Sequence, residues 1–261
     1  MDEVANYNRE RWKALNAADA LFTRPQLELD IRSAGLQADP HQRLGDIRGL
    51  KVLCLGGGGG KQSVAFGLLG ADVTVADLSP EQLEGDRLAA ERHGLAVRTV
   101  EADMRDLSVF AADSFDIVDQ PYSINLVPDC RGVFRQVAAV LRPRGRYRVV
   151  IANPIGMGVR QSDWNDGGYS ISEAYIDGAR LTWDDQEWVY DRGLKADVPK
   201  PVEYRQTLGR VLNGLIDLGF RVEHFSETID IHPDVNGEPG TWDHYVAFVP
   251  PWFSILARLE N

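Results

Sequence analysis

Residues 52–63 read VLCLGGGGGKQS and join an apolar, strand-like run to five successive glycines and the start of a helix. The run KVLCL at 51–55 has the length of a buried β-strand, and a helical pattern follows at 61–69. Glycines carry no side chain, so the main chain between the two elements can pass close to a ligand. The stretch therefore predicts a ligand-binding turn at the carboxyl end of a strand.

Further apolar runs of strand length alternate with helical patterns after this turn. They read ADVTVA at 71–76, LAVRTV at 95–100, FDIVDQ at 115–120 and YRVVIAN at 147–153. The helix predicted from Pro80 to about His93 begins with Ser79 as its N-cap, and Gln82 stands at the capping-box position. This alternation is typical of βαβ units that stack into a mainly parallel sheet.

The chain of 261 residues is predicted to form one domain, because single α/β domains often reach this length. Residues 50–153 are its predicted ligand-binding core, and residues 1–49 are an amino-terminal helical cap. The polar, aromatic stretch 154–202 is interpreted as an insertion or lid, with a hairpin strand expected at 179–191. Residues 203–261 return to the sheet through a helix that stops at Gly219, then FRVEHFSE and the last strand, WFSILARL.

The composition excludes several classes of protein. The net charge of −11, from 39 acidic and 28 basic residues, disfavours a nucleic-acid partner. No window approaches the ~20 apolar residues of a membrane span, and the first residues, MDEVANYNRERW, do not resemble a signal peptide. Cys54 and Cys130 form no C-x-x-C pair, so neither a disulfide framework nor a metal site is indicated. We expect a cytoplasmic monomer or homodimer that acts on a small molecule, with no membrane partner.

The spacing of the glycines separates three classes of nucleotide-binding turn. A P-loop, G-x-x-x-x-G-K-[ST], fails because its first position falls on Leu55 and its last on Gln62. The dinucleotide fingerprint, G-x-G-x-x-G, fails because its last position falls on Lys61 or Gln62. The pattern that fits is G-x-G-x-G at Gly56, Gly58 and Gly60.

Four phrases follow one another in the predicted core: VLCLGGGGGKQ, ADLSPEQLEGDR, EADMRDLS and FDIVDQPYS. Together they resemble a bacterial branch of the methyltransferase type 11 family, within the class I S-adenosylmethionine (SAM)-dependent methyltransferases. The resemblance covers most of residues 50–153. It implies a doubly wound, Rossmann-like α/β fold with a seven-stranded, mostly parallel sheet whose last strand is antiparallel. It also implies a transferase that uses SAM, releases S-adenosylhomocysteine (SAH) and methylates oxygen or nitrogen of a small molecule.

The resemblance assigns a role to the glycine turn and to the end of the second strand. Asp77, 19 residues past Gly58, is where the family places a carboxylate that accepts hydrogen bonds from both ribose hydroxyls. Leu78 would then pack on the adenine. The glycines expected at the cofactor are Gly56, Gly57, Gly58 and Gly60.

Three further positions follow from the same resemblance. Asp103 is similar to the family residue that accepts from the adenine amino group, with the Met104 backbone beside it. Gln120 stands where the methionine part and the sulfonium would lie. One departure is Cys54, because the family commonly has an acidic residue two positions before the first glycine of the turn. Taken alone, Asp77 or Asp103 is equally consistent with a helix-capping role.

Two residues are candidates for removing a proton from the acceptor, although methyl transfer by positioning alone needs no base. His244, among aromatic residues before the last strand, is the first choice; its structural alternative is a packed histidine. Tyr122 ends Asp119-Gln120-Pro121-Tyr122, which resembles the D/N-P-P-Y sequence of amino-methylating DNA enzymes but lacks the second proline. The acidic net charge disfavours that substrate, so Tyr122 is expected to face a small acceptor.

Two segments are expected to flank the cleft. Aromatic residues of 154–202 would form a substrate lid, a cover for a sheet edge or a dimer contact; they are Trp164, Tyr169, Tyr175, Trp183, Trp188 and Tyr190. An amino-terminal segment with Tyr7, Arg11 and Trp12 would fold over the cofactor or pack on the sheet.

Three alternative functions remain at this point. The first is a SAM-binding enzyme that promotes a cyclisation or rearrangement without methyl transfer. The second is an NAD-dependent oxidoreductase, which the failed fingerprint disfavours. The third is a non-enzymatic binding module, which leaves the cofactor residues unexplained.

Overall fold

The computed structural model describes residues 2–165, 167–183, 198–227 and 231–260. Its strands, in chain order, are β1 Lys51–Leu55, β2 Asp72–Asp77, β3 Val97–Glu101, β4 Phe115–Gln120, β5 Leu141–Ala152, β6 Val159–Asn165, β7 Gly168–Ile171, β8 Arg180–Thr182, β9 Val202–Tyr204, β10 Phe220–Ser226 and β11 Trp252–Leu259. Its α-helices are α1 Glu3–Ala17, α2 Ile31–Ala38, α3 Gln62–Leu68, α4 Pro80–His93, α5 Cys130–Val140, α6 Leu208–Ile216 and α7 Trp242–Phe248. Within these ranges no helix has both the length and the apolar content needed to cross a membrane.

The central sheet contains seven strands in the order β10-β11-β5-β4-β1-β2-β3. Neighbouring strands from β5 to β3 in this order run parallel, whereas β11 runs antiparallel to both β5 and β10. Helices cover both faces of the sheet. The predicted doubly wound, mostly parallel sheet with an antiparallel last strand is confirmed.

The apolar core lies in two layers, one on each face of the sheet. Successive residues of β1 alternate between them: Leu53 and Leu55 pack with α5 and α6, whereas Val52 and Cys54 pack with α2 and α3. Alternation arises because neighbouring side chains of a strand point to opposite faces. A strand that is apolar at every position is therefore buried on both sides.

Strand β5 begins earlier in the chain than the sequence predicts. We expected a strand at 147–153 after a turn at Pro143-Arg144-Gly145, but β5 already begins at Leu141. Phe115 pairs with Leu141 and Ile117 pairs with Arg146, so the proline-containing segment forms an irregularity within the strand. The periodicity missed the first residues of β5 because their partners lie 26 to 29 positions earlier in the chain.

The stretch interpreted as an insertion or lid contains short strands beside the main sheet. β6 and β7 form an antiparallel hairpin, and β8 pairs with β9. Of the strand expected at 179–191, only Arg180–Thr182 is a strand within the described ranges. Residues 184–197, with Trp188 and Tyr190, lie outside the described residues. The division of the chain into cap, core, insertion and carboxyl-terminal part stays a prediction.

Arg148 ties β5 to β4 and to two helices. Its guanidinium donates to Oδ1 of Asp119 on β4 and to the carbonyl oxygen of Ala38 at the end of α2. The same group lies 5.8 Å from the centre of the Phe66 ring in α3. Asp119 is 1% exposed, and its Oδ2 has no hydrogen-bond partner among the described residues. The buried carboxylate therefore depends on Arg148 for charge compensation.

We predict that Arg148→Leu lowers the free energy of unfolding by about 3–5 kcal/mol, because it leaves the Asp119 carboxylate buried and unpaired. Urea denaturation followed by circular dichroism measures this change. Arg87→Leu is the matched control, since the Arg87–Glu84 ion pair is more than half exposed and should contribute under ~1 kcal/mol. Equal losses in both variants would contradict a structural role for the buried pair.

Candidate active site

The glycine turn lies between β1 and α3, at the carboxyl edge of the sheet. Gly56, Gly59 and Gly60 have φ values of +56°, +102° and +75°, which side-chain-bearing residues rarely adopt. A Cβ atom added to Gly60 would lie 2.6 Å from the Cβ of Ala89 and 2.8 Å from the carbonyl oxygen of Gly85 in α4. The turn therefore requires glycine for its conformation and for its close packing against α4.

The carboxylate of Asp77, at the end of β2, points toward this turn. Its Oδ2 accepts a hydrogen bond from the Gly58 amide at 2.9 Å, and its Oδ1 accepts from the Ser79 amide at 2.9 Å. Desolvation raises the pKa of Asp77, while the amide hydrogen bonds oppose part of that rise. Asp77 is thus held in place by the backbone of the turn.

A second carboxylate, that of Asp86 in α4, holds the other half of the turn. It accepts hydrogen bonds from the amides of Gly59 at 3.0 Å and Gly60 at 3.1 Å, and from the hydroxyl of Ser63. Asp86 is fully buried, and desolvation raises its pKa to about 7 against the lowering effect of these hydrogen bonds. Asp86 was not predicted from the sequence, because only the packing of α4 brings it beneath the glycines.

A cleft runs between the glycine turn, the ends of β2 and β3, and helix α1. Ala5, Asn8 and Trp12 of α1 form its outer wall, which agrees with an amino-terminal segment folded over the site. Tyr7 and Arg11, on the same helix, instead donate hydrogen bonds to the carbonyl oxygens of Lys200 and Pro199. The sequence-predicted cofactor residues that line the cleft are Gly56, Gly58, Asp77, Leu78, Asp103 and Met104.

Three of the predicted cofactor residues, Gly57, Gly60 and Gln120, do not line the cleft. Gly57 packs against Pro121, whose Cγ would be 3.0 Å from an added Cβ, and Gly60 packs against α4. Gln120 is fully buried; its Nε2 donates to the hydroxyl of Ser123 at 3.1 Å, and its Oε1 accepts from the hydroxyl of Tyr147. Ser123 itself lines the cleft, so Gln120 supports the wall from behind.

Asp103 lines the cleft but is already paired with Arg105. The Arg105 guanidinium donates to both oxygens of Asp103, with Nε–Oδ1 at 3.0 Å and Nη2–Oδ2 at 2.6 Å. It also binds both oxygens of Asp2, the N-cap of α1, at 2.7 and 2.8 Å. The Arg105 guanidinium lowers the pKa of Asp2 well below its usual range. Arg105 thereby fastens α1 over the cleft, a contact that sequence reasoning missed.

Gln82 supplies an unused hydrogen-bond donor to the same cleft. Its side chain is 2% exposed and lines the wall beside Asp77 and Gly58. Its Nε2 has no hydrogen-bond partner among the residues that the structure describes. A buried amide without a partner is costly unless a ligand binds it. The carboxylate of Asp77 and the amide of Gln82 together fit a ligand that carries hydroxyl groups, such as the ribose of SAM.

The two candidate bases lie in different surroundings. Tyr122 follows β4, and its hydroxyl donates to Oε2 of Glu203 on β9 at 2.6 Å. His244 lies in α7, is 3% exposed, and its Nδ1 is 2.7 Å from the hydroxyl of Tyr169. Trp164 and Phe248 pack edge-on and tilted against the His244 ring, with centroids 4.6 and 4.9 Å away. His244 is therefore packed in an aromatic cluster outside the described wall of the cleft, and its catalytic role stays a prediction.

We predict that Asp86 makes stability depend on pH. A carboxyl whose pKa is about 7 in the folded chain, against 3.8 ordinarily, takes up a proton on folding at pH values between the two. The wild-type free energy of unfolding should therefore fall, relative to Asp86→Asn, by ~1 kcal/mol per pH unit as pH rises from 5 to 7.

Urea denaturation at pH 5, 6, 7 and 8 measures this difference. Asp72→Asn, at the exposed amino end of β2, is the matched control and should follow the wild-type slope. A constant difference between wild type and Asp86→Asn across this range would show that Asp86 does not take up the proton.

Proteins similar to this chain are described as methyltransferases. The family model described as a methyltransferase domain matches residues 53–149. The uncharacterized methyltransferase YbaJ of Bacillus subtilis (strain 168) is 33% identical over 200 residues, which are 76% of this chain and 76% of that protein. A ubiquinone biosynthesis O-methyltransferase of Xanthomonas oryzae pv. oryzae is 33% identical over 151 residues, 56% of this chain and 57% of that protein.

Among solved structures, an S-adenosylmethionine dependent methyltransferase from Mesorhizobium loti has a TM-score of 0.65 at 24% identity. The similarity covers 89% of this chain and 100% of that one, and it concerns the fold. The family model spans the segment from β1 to β5, which carries the glycine turn and Asp77. From this match and the extended similarity to YbaJ, the chain belongs to the class I SAM-dependent methyltransferases.

Proposed function

We propose that this methyltransferase binds SAM in the cleft between the glycine turn and α1 and methylates an oxygen or nitrogen atom of a small molecule. The observation that carries the proposal is the Asp77 carboxylate, hydrogen-bonded at 2.9 Å to the Gly58 amide in the wall of that cleft. The net charge of −11 favours a small acceptor over a nucleic acid. The ubiquinone biosynthesis O-methyltransferase among the relatives favours oxygen as the acceptor atom.

Each wall of the cleft has a proposed part in holding the cofactor. The Asp77 carboxylate accepts from the ribose hydroxyls, the Gln82 amide donates to one of them, and Leu78 packs on the adenine. Asp103, hydrogen-bonded by Arg105, faces the adenine amino group beside the Met104 backbone. The turn at Gly56–Gly60 and the Gln120–Ser123 pair border the methionine end.

Bound SAM supplies a methyl group made electrophilic by the sulfonium. The chain contributes mainly position: aligning the acceptor atom with the methyl carbon at ~3 Å removes most of the entropic part of the barrier. Helix α1, held by Arg105, lines the cleft and would shield the bound cofactor from water. Tyr122 and His244 remain the proposed residues for handling the acceptor proton. Two buried free thiols, Cys54 and Cys130, are consistent with the proposed cytoplasmic location.

We predict that Asp77→Ala weakens SAH binding about 100-fold, because two charge-assisted hydrogen bonds to the ribose are lost. Isothermal titration calorimetry with SAH measures the affinity, and thermal melting checks that the variant is folded. Asp72→Ala removes a carboxylate from the exposed end of the same strand and should bind SAH as the wild type does. Unchanged affinity in a folded Asp77→Ala protein would refute the proposed cofactor site.

A further inference from the structure

Three separate parts of the chain meet at the Tyr122 hydroxyl and the Glu203 carboxylate. Tyr122 follows β4, Glu203 lies on β9, and Arg11 of α1 is close enough to lower the pKa of Glu203 by its charge. Arg11 is 7% exposed and donates to the carbonyl oxygen of Pro199. The hydrogen-bonded phenol and carboxylate are here called the Tyr122–Glu203 pair, and the Arg11 guanidinium lies near them. None of the three residues belongs to the proposed cofactor site.

The pair stands next to the methionine end of the proposed SAM site. Pro121 and Ser123, on either side of Tyr122, both pack against the glycine turn: their side chains would lie 3.0 and 2.8 Å from Cβ atoms added to Gly57 and Gly56. Ser123 also lines the cleft. Tyr122 is 39% exposed, so part of it is open to an incoming molecule next to the methionine end of the proposed SAM site.

The charges around the pair are suited to accepting a proton. Desolvation raises the pKa of Glu203 to about 7, against the lowering effects of the Tyr122 hydrogen bond and the Arg11 charge. Desolvation and the nearby Glu203 charge raise the pKa of Tyr122, so its hydroxyl stays protonated and donates. Across the strand pair, β8 presents apolar Leu181 opposite Glu203, and the neighbouring turn Ile124–Leu126 is uncharged. Lys200, on the same segment, bonds Tyr7 through its main-chain carbonyl.

The same charges favour a neutral acceptor. Glu203 and Arg11 carry opposite charges, so together they present no net negative charge that would attract an ammonium group. A hydroxyl group loses its proton when its oxygen is methylated, and a nearby base that accepts this proton speeds the reaction. The exposed face of the Tyr122 ring can stack on an aromatic ring. These features together point to a phenol as the acceptor.

We propose that Glu203, acting through Tyr122, takes the proton that a phenolic acceptor loses when its oxygen is methylated. This inference rests on the proposed function. In the step, a lone pair of the phenol oxygen forms the bond to the methyl carbon, and the electron pair of the broken carbon–sulfur bond stays on sulfur. The phenol proton passes to the Tyr122 oxygen while the Tyr122 proton moves to Glu203. The products are a methyl ether, SAH and a neutral Glu203, so charge and atoms balance.

The test measures transfer of labelled methyl groups from saturating SAM to two probes, catechol and 3,4-dihydroxybenzoate. Glu203→Gln and Tyr122→Phe should each lower kcat about 100-fold or more at pH 7, with KM for the phenol changed less than about 3-fold. Glu203→Asp should restore part of the rate, because it keeps the carboxylate. Glu91→Gln, an exposed change at the end of α4, is the matched control and should retain wild-type kcat.

The pH profile separates proton transfer from a structural effect. Wild-type kcat should fall tenfold per pH unit below about 7, since the pair works only with Glu203 deprotonated. Glu203→Gln should lack this acid limb. Asp86 has a pKa in the same range. An acid limb that persists unchanged in Glu203→Gln would therefore arise from another group, such as Asp86, and would overturn the proposal.

The remaining outcomes are distinct. A wild-type protein that fails to bind SAH refutes the proposed function itself. Binding of SAH without transfer to either phenol overturns the acceptor class, and a folded Glu203→Gln protein with more than half of the wild-type kcat overturns the role of Glu203. Should Glu203→Gln fail to fold, Tyr122→Phe decides, because it removes only the hydroxyl: loss of rate supports the pair, and retained rate overturns it.

Discussion

The contact between the glycine turn and helix α4 is the constraint on which the proposed cofactor site depends. Gly59 and Gly60 lie directly on α4 at Gly85 and Ala89, leaving no room for a Cβ atom at Gly60. Two carboxylates, those of Asp77 and Asp86, accept the amides of three successive glycines. The turn is therefore fixed by the protein before a ligand binds, and preorganisation of this kind lowers the entropic cost of binding.

Two arginine side chains connect the strands around the cleft to the neighbouring helices. Arg148 compensates the buried Asp119 and reaches both α2 and α3, so the sheet and one helical layer share a single charged group. Arg105 joins Asp103 in the cleft to Asp2 at the start of α1. Charges are costly to bury alone and are retained where they are paired. Here the paired charges connect the wall of the cleft to the helix that covers it.

The cleft and the region next to it differ in chemistry. The side toward β2 and β3 presents groups suited to a nucleoside, with the Asp77 carboxylate and the unpartnered amide of Gln82. Next to the cleft, beyond β4, lie Tyr122 and Glu203, whose 2.6 Å hydrogen bond joins two groups with raised pKa values. The groups proposed for cofactor binding and for proton transfer thus follow different strands, so substitutions can test them separately.

The sequence by itself determined the alternating β and α units, the glycine turn with Asp77 after the second strand, and the helix Pro80–His93 with both ends, because each depends on residues close together in the chain. Only the tertiary structure decided which residues far apart in the sequence meet at the glycine turn, at the cleft and at Tyr122. Asp86, Arg105 and Glu203 are ordinary charged residues in the sequence, and nothing in their spacing marks them. Asp86 reaches the turn because α4 packs on it. Glu203 meets Tyr122 across 81 positions because β9 folds beside the end of β4. His244 shows the converse, since the packing of α7 encloses it among aromatic rings. Contacts between residues so far apart in the sequence depend on how whole elements pack, and local sequence patterns do not encode that packing.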